Sequence, residues 1–259
     1  ENGYKLIVPS PTMMVHRRIS EATRRGDKVL LTGCVMGGGP SQWAAENHLK
    51  AGHPIYATED AARSFNDDLN VIREMGIQLV EDDHPSRMNT LKDAVHIELQ
   101  DFDFTTIEQT FNHFGVKLNR LAAVAAAVFD HGDSPPGFSD RQFRFDYLDD
   151  RIRAANRLSA FAYRAEEIPS IMTRLQAVAR TASGFDAPFI LMDTAPAAVL
   201  GATFDPKVRQ AHRALVTNVG NMHTLAFRLG PQGIEGVFEH HTGLLDQNKL
   251  EMLIRSLAA

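Results

Sequence analysis

ALVTNVGNMHTLAFRLGPQGIEGVFEHHTG, residues 214–243, is the stretch whose reading decides the fold. Residues 215–219, 222–229 and 234–238 are apolar or alternating runs rich in side chains that suit a pleated surface. Two turn signals part them, Gly220-Asn221 and Gly230-Pro231-Gln232-Gly233. The stretch therefore predicts three consecutive strands. Asn218, Asn221, His223 and Thr224 crowd the first turn, and Glu239, His240, His241 and Thr242 close the third strand, so the same stretch is a candidate ligand-holding hairpin. Neighbouring side chains of a strand point to opposite faces, so His240 and His241 should diverge and at most one should enter a common site. His223 shares its register with Leu225, Phe227 and Leu229, a pattern that on its own fits a core histidine.

Outward from this hairpin, strand-like and helix-like segments alternate. Residues 28–32 read as a buried strand that runs into Gly33-Cys34-Val35-Met36-Gly37-Gly38-Gly39-Pro40, after which Ser41 is placed to cap a helix over 42–51. Residues 54–57, 77–80 and 95–99 continue as strands, Thr58 is placed to cap a further helix, and a helix beginning at Thr105 or Thr106 closes at Gly115. LAAVAAAVF, residues 121–129, reads as a central strand delivering Asp130-His131-Gly132-Asp133 at its carboxyl end. Apolar residues at helical spacing extend from 142 to about 164, residues 189–192 form a strand ending at Asp193, and residues 247–257 form a last helix. This alternation predicts an α/β fold with a mixed sheet. The polar loop EDDHPSRMN, residues 81–89, suggests two lobes, 1–80 and 81–259 with the hairpin of residues 218–242 in the second; one compact domain is the alternative.

Composition narrows the partners. Hydrophobic residues at 44% and charged ones at 23% are ordinary globular values, and a net charge of -5 offers no basic footprint for nucleic acid or an anionic membrane. Small molecules, nucleotides, protein partners or a homo-oligomer remain. No apolar run is long enough to span a bilayer, and the single cysteine, Cys34, fits a reducing cytoplasmic setting and cannot build a Cys-ligated cluster. The chain opens on Glu1 rather than Met, so residue 1 is expected to lie inside a longer encoded protein.

Strand-end loops carry the chemistry in an open α/β sheet. Gly37, Gly38 and Gly39 precede a helix, where backbone N–H groups and the helix dipole favour phosphate; a tight turn needing positive φ is the plainer reading. Asp130 and His131 suit metal binding or acid–base work, and Asp193 suits either a catalytic carboxylate or the cap of the helix that follows. His240 and His241, with Asp130 and His131, are the metal candidates, a transition metal being the alternative to a nucleotide with Mg. The arginines from Arg141 to Arg164 alternate with Asp140, Asp146, Asp149 and Asp150, which reads as a solvated helix face; Arg141 is the member best placed to reach an anion.

LLTGCVMGGGPSQWAAENHL, AAVFDHGDSPPGFSDRQFRFDY, DTAPAAVLGA and NVGNMHTLAF with GVFEHHTG together resemble a prokaryotic family labelled putative pyruvate formate-lyase activating enzyme, and the resemblance covers nearly the whole chain. Radical chemistry of the kind that label names needs a three-cysteine motif, which Cys34 alone does not supply. The family is more distantly similar to the sugar kinase, Hsp70 and actin superfamily. That resemblance implies two lobes clamping ATP or another nucleotide with Mg, a kinase- or ATPase-like activity, and Asn218, Gly220, Asn221, His223 and Thr224 in the place of the second phosphate-binding hairpin. It further implies an N-terminal hairpin with the first phosphate loop, which these residues do not show. A metal-dependent hydrolase or lyase, and a non-catalytic assembly factor or chaperone, are the other readings.

Overall fold

The computed structural model of the protein describes residues 3–80, 91–135, 137–220 and 223–259, apart from the side chains of residues 140 and 141. The polar loop at 81–89 and Asn221 therefore lie outside the described residues. The chain divides into two compact units, Glu1–Leu121 with Gln176–Asp186 and Ala122–Leu175 with Ala187–Ala259. The fold is α/β with mixed sheets.

The first unit opens with α1 (Pro11–Arg25), whose start and stop are written in its sequence: Ser10 Oγ accepts from the Met13 N–H, and Gly26 ends it in the left-handed region. β1 (Val29–Gly33), α2 (Pro40–Lys50), β2 (Ile55–Ala57), α3 (Glu59–Arg63), α4 (Leu69–Glu74), β3 (Gln78–Leu79), β4 (Val95–Leu99) and α5 (Phe104–His113) follow. The four strands form one parallel sheet in the order β3-β2-β1-β4. Ile19, Leu31, Ile55, Ile72, Ile97 and Leu99 are fully buried at its core. Thr58 caps α3 as expected, but Ser41 does not cap α2. Gly39 takes the N-cap position with Pro40 beginning the helix, and the Ser41 hydroxyl donates to Gly38 O at 2.5 Å. Pro40 already has the φ of a first helical residue and no N–H to satisfy, which moves the start one residue earlier.

Two residues fix the end of the sheet. Gly33 has φ +71, and a Cβ there would lie 2.3 Å from Leu99 O, the atom that accepts the Cys34 N–H at 3.0 Å. Only glycine fits that approach. Beyond β4, Asp101 accepts the Met36 N–H at 2.7 Å, and burial pushes its carboxyl from the ordinary 3.8 up to about 6. Between those values the folded state binds the extra proton, so this group's contribution to stability falls as pH rises through the window and stays lost above it. Asp101→Asn keeps an oxygen for Met36 and removes the buried charge. It is expected to raise stability at neutral pH by about 2 kcal/mol and to flatten the profile between about pH 4 and 6. Thermal melts across that range measure it, and a variant less stable than the parent at neutral pH contradicts it.

In the second unit β5 (Val124–Val128), α6 (Asp140–Ala155) and β6 (Ala162–Arg164) come first. After α7 (Thr173–Thr181), which begins in this unit, come β7 (Phe189–Asp193), α8 (Thr194–Ala202) and α9 (Pro206–Gln210). The hairpin strands β8 (Ala214–Val219), β9 (His223–Gly230) and β10 (Gly233–His241) precede α10 (Gln247–Ala258). One sheet is mixed, in the order β5-β7-β6, with β5 parallel and β6 antiparallel to β7. The other is antiparallel, β10-β9-β8, and Leu225, Phe227 and Ile234 from it join Leu148, Phe161 and Val199 in the core.

Two expectations are corrected. Residues 121–129 do not supply a central strand: β5 is an edge of its sheet, with Val124 and Val128 buried and Ala125 and Ala127 exposed, and β7 is central. An alanine run looks apolar on both faces, so it hides this alternation. The helix read from 142 to about 164 stops at Ala155, where the Asn156 N–H closes it on Ile152 O, and residues 162–164 are a strand. Among the described residues no helix is long and apolar enough to cross a membrane.

Candidate functional site

Parallel pairing sets Val128 of β5 beside Asp193 of β7, so the two chains leave the sheet together. Just beyond, the Asp130 N–H donates to Asp193 Oδ1 at 3.2 Å. Arg144, from the second turn of α6, fills the space between them. Its Nε donates to Glu239 Oε2 at 2.7 Å, one terminal nitrogen to Asp193 Oδ2 at 2.8 Å and the other to Asp130 O at 2.6 Å. Arg144 is 5% exposed, and this is not the solvated arginine of the expected helix face. Burial works against its charge, but the Asp193 and Glu239 carboxylates outweigh that and raise its pKa. Burial pushes the Asp193 carboxyl up while Arg144 pulls it down.

Arg144 and Glu239 floor a cavity of about 740 Å³. Phe129, Arg144, Phe145, Arg174, Leu225 and Glu239 line it, with Thr194 and Ala195 from the first turn of α8 and His131, Asn218, Gly220, His223 and His241 around it. Asp193 stands at the N-cap of α8 yet makes no capping bond, because both of its oxygens are turned to Arg144 and Asp130 N. The start of α8 thus meets the cavity without a side-chain cap. A helix N-terminus in that condition is an anion-favouring feature.

Asp130 is 2% exposed, and its carboxylate accepts the Gly132 and Leu175 N–H groups, each at 2.9 Å; it holds the loop in shape rather than facing the cavity. Gly132 belongs to that shape, with φ +79 and the Phe143 ring where a Cβ would stand. His131 places Nδ1 2.6 Å from Gly132 O and Nε2 2.9 Å from Arg174. Arginine can only donate, so Nε2 accepts and Nδ1 is the nitrogen that donates. Its role here is to orient Arg174, whose guanidinium lies 5.7 Å from the Phe129 ring centre.

Strand register separates the histidines as alternation predicted. His241 pairs with His223 and lines the cavity, while His240 pairs with Thr224 and its Nδ1 lies 3.1 Å from His241 O. His223 stacks on Phe129 at 4.4 Å between ring centres, and its Nδ1 is 2.9 Å from Glu239 Oε1. Burial lowers the His223 pKa, Arg144 and His241 add to that, and Glu239 opposes it. Thr224 is fully buried; its hydroxyl meets Thr242 at 3.0 Å, and Thr242 donates to Gly220 O at 2.7 Å, bracing the turn. Gly37, Gly38 and Gly39 belong to the first unit, at the turn into α2. Arg141, read as the arginine best placed for an anion, has no described side chain, and Asn221 lies outside the described residues.

Arg144, Arg174 and Phe129 are among the lining residues that sequence reasoning missed. Nothing in the spacing of a single arginine near a helix start marks it. Glu239, part of the candidate ligand-holding hairpin, has Arg144 and His223 as its partners. Among the described residues no three His, Cys, Asp or Glu side chains are grouped to hold a metal ion.

Fold and cavity together define an α/β protein with a buried arginine-centred polar network at the base of a cavity. Residues 36–259 match the model of the family described as "Putative pyruvate format-lyase activating enzyme (DUF1786)", and the chain belongs to that family. None of the curated proteins compared with it matches. The cluster chemistry in that description does not fit these residues. Cys34 is the one cysteine of the 259; it is buried, its thiol donates to Ala177 O at 3.6 Å, and burial pushes its pKa up. A buried lone thiol is a poor thiolate ligand.

Proposed function

We propose that the cavity of the second unit binds a small molecule bearing a phosphate, a nucleotide first among them, and that the protein acts in phosphoryl transfer. The observation that carries this reading is the side chain of Asp193: turned to Arg144, it leaves the first turn of α8 uncapped at the cavity wall, in company with Arg174. A guanidinium and the helix-start amides of Thr194 and Ala195, which no side chain caps, are complementary to a phosphate's equatorial oxygens. The volume of about 740 Å³ lies within the range of small-molecule sites. Arg144 neutralises part of the acidic floor that would otherwise repel an anion. The resemblance to sugar kinases, Hsp70 and actin supports the same chemistry, with residues 218–224 as a phosphate hairpin, a two-lobed arrangement and a cytoplasmic setting. Among the described residues no grouped ligand set favours the metal-dependent hydrolase.

Thermal-shift measurements on the full chain test this. Inorganic phosphate, ADP and ATP, each to millimolar concentration, are expected to raise the melting temperature in a saturable way. A ligand at about one hundred times its Kd adds about 2.7 kcal/mol, a shift of several degrees. No shift with any of the three removes the reading.

A further inference from the structure

We propose that His223 is the general base of this cavity, with Glu239 and Arg144 as the residues that position it, and that the attacking group it serves is a water directed at a phosphoryl group. The inference rests on the phosphate reading above and adds the reaction to it. Register explains how the parts meet. Glu239 pairs with Leu225 and His241 with His223, so Glu239 lies diagonally across from His223 on the same face of the hairpin.

The Glu239 side chain is 6% exposed and uses both oxygens, Oε1 towards His223 Nδ1 at 2.9 Å and Oε2 towards Arg144 Nε at 2.7 Å. Arg144 is itself fixed by Asp193 and Asp130 O, so the carboxylate has one available orientation. A carboxylate accepts, so Nδ1 of the neutral imidazole carries the proton and Nε2 keeps its lone pair. The ring plane is held by the stack on Phe129, and the His223 side chain is 31% exposed at the cavity. Nε2 has no hydrogen-bond partner among the described residues. The lowered pKa, caused first by burial, agrees with a ring that is neutral near pH 7. The carboxylate–imidazole arrangement is the one that orients and activates a base in acyl-transfer triads, here without a side-chain nucleophile.

In the step that follows, a water gives a proton to His223 Nε2 and its oxygen forms a bond to phosphorus. The bond from phosphorus to the bridging oxygen breaks, and that oxygen keeps the electron pair and then receives the proton from His223. The sum is phosphate monoester or anhydride plus water giving alcohol, or the shortened nucleotide, plus inorganic phosphate. Arg174 and the α8 amides face the negative charge gathered on the phosphoryl oxygens.

The full chain is assayed for phosphate release from ATP and from p-nitrophenyl phosphate. Release is expected, and His223→Gln should lower it at least 100-fold while keeping the melting-temperature rise given by inorganic phosphate. Glu239→Gln should lower kcat more than it changes KM. The charged groups facing His223 are Glu239, Arg144 and His241, with Arg174 and His131 around Phe129. Loss of the one carboxylate that raises the His223 pKa should move the acid limb of the kcat profile to lower pH. Nitrogen-15 shifts of the wild-type ring should report the proton on Nδ1. Phosphate binding without phosphate release, release that His223→Gln leaves intact, or a proton on Nε2 overturns the relay and leaves the binding reading standing. Absence of any phosphate-induced shift overturns both.

Discussion

Arg144→Met is expected to cost this protein about 3–5 kcal/mol of stability, lowering its melting temperature by roughly 10 °C. Methionine fills much the same volume, so the loss is electrostatic rather than a cavity. The substitution strands Asp193 and Glu239, two carboxylates that are 11% and 6% exposed at their side chains, and leaves Asp130 O without its guanidinium donor. Breaking one member of a buried ionic group leaves uncompensated charge, which is worse than never having had the pair. The pH dependence provides the check on sign. Burial already raises the Asp193 carboxyl above its ordinary value against the pull of Arg144, and removing that pull raises it further. A carboxyl with a raised folded pKa adds stability when protonated and loses it as pH rises through that pKa. The deficit of Arg144→Met relative to wild type should therefore be smaller at about pH 5 than at about pH 8. Paired melts at the two values measure it, and a variant within a degree of wild type at both shows that the network contributes nothing.

Arg174→Ala is expected to weaken inorganic phosphate and ATP by about 10- to 100-fold, the loss of one charge-assisted contact of about 1.5–3 kcal/mol. Its effect on folding should be far smaller than that of Arg144→Met, because the buried carboxylates do not depend on it. His131 should follow it: a substitution such as His131→Ala removes the acceptor 2.9 Å from the guanidinium and should weaken the anion by a smaller factor, through the orientation of Arg174 rather than by touching the ligand. Calorimetric titration separates the two effects. Equal affinity in wild type and Arg174→Ala places the anion elsewhere.

The hairpin was the most legible part of the molecule. Its strands begin and end within a few residues of where alternation and the Gly220 and Gly233 turns put them, and the divergence of His240 from His241 follows from period two alone. Capping was legible at Thr58, where the signal is a single side chain, and failed at Ser41, where the backbone preferences of Gly39 and Pro40 compete. The site's centre was not legible. Arg144 sits in a helix whose charges alternate in sign, and in one dimension a buried arginine among aspartates looks the same as a solvated one. Asp193 was read as a possible cap; only the pairing of β5 with β7 brings Asp130 to it and shows why it abandons that role. Asp130 was likewise a candidate carboxylate until the Leu175 N–H, 45 residues away, took up its second oxygen.

The most direct test of the central claim is a titration of the nitrogen-15-labelled protein with inorganic phosphate, followed by amide shifts. The account predicts saturable shifts at Thr194, Ala195 and Gly220 together with the Arg174 side chain, with the three amide shifts moved to about 10- to 100-fold higher phosphate in Arg174→Ala. Saturable binding that leaves Thr194 and Ala195 unmoved, or that survives Arg174→Ala unchanged, contradicts it.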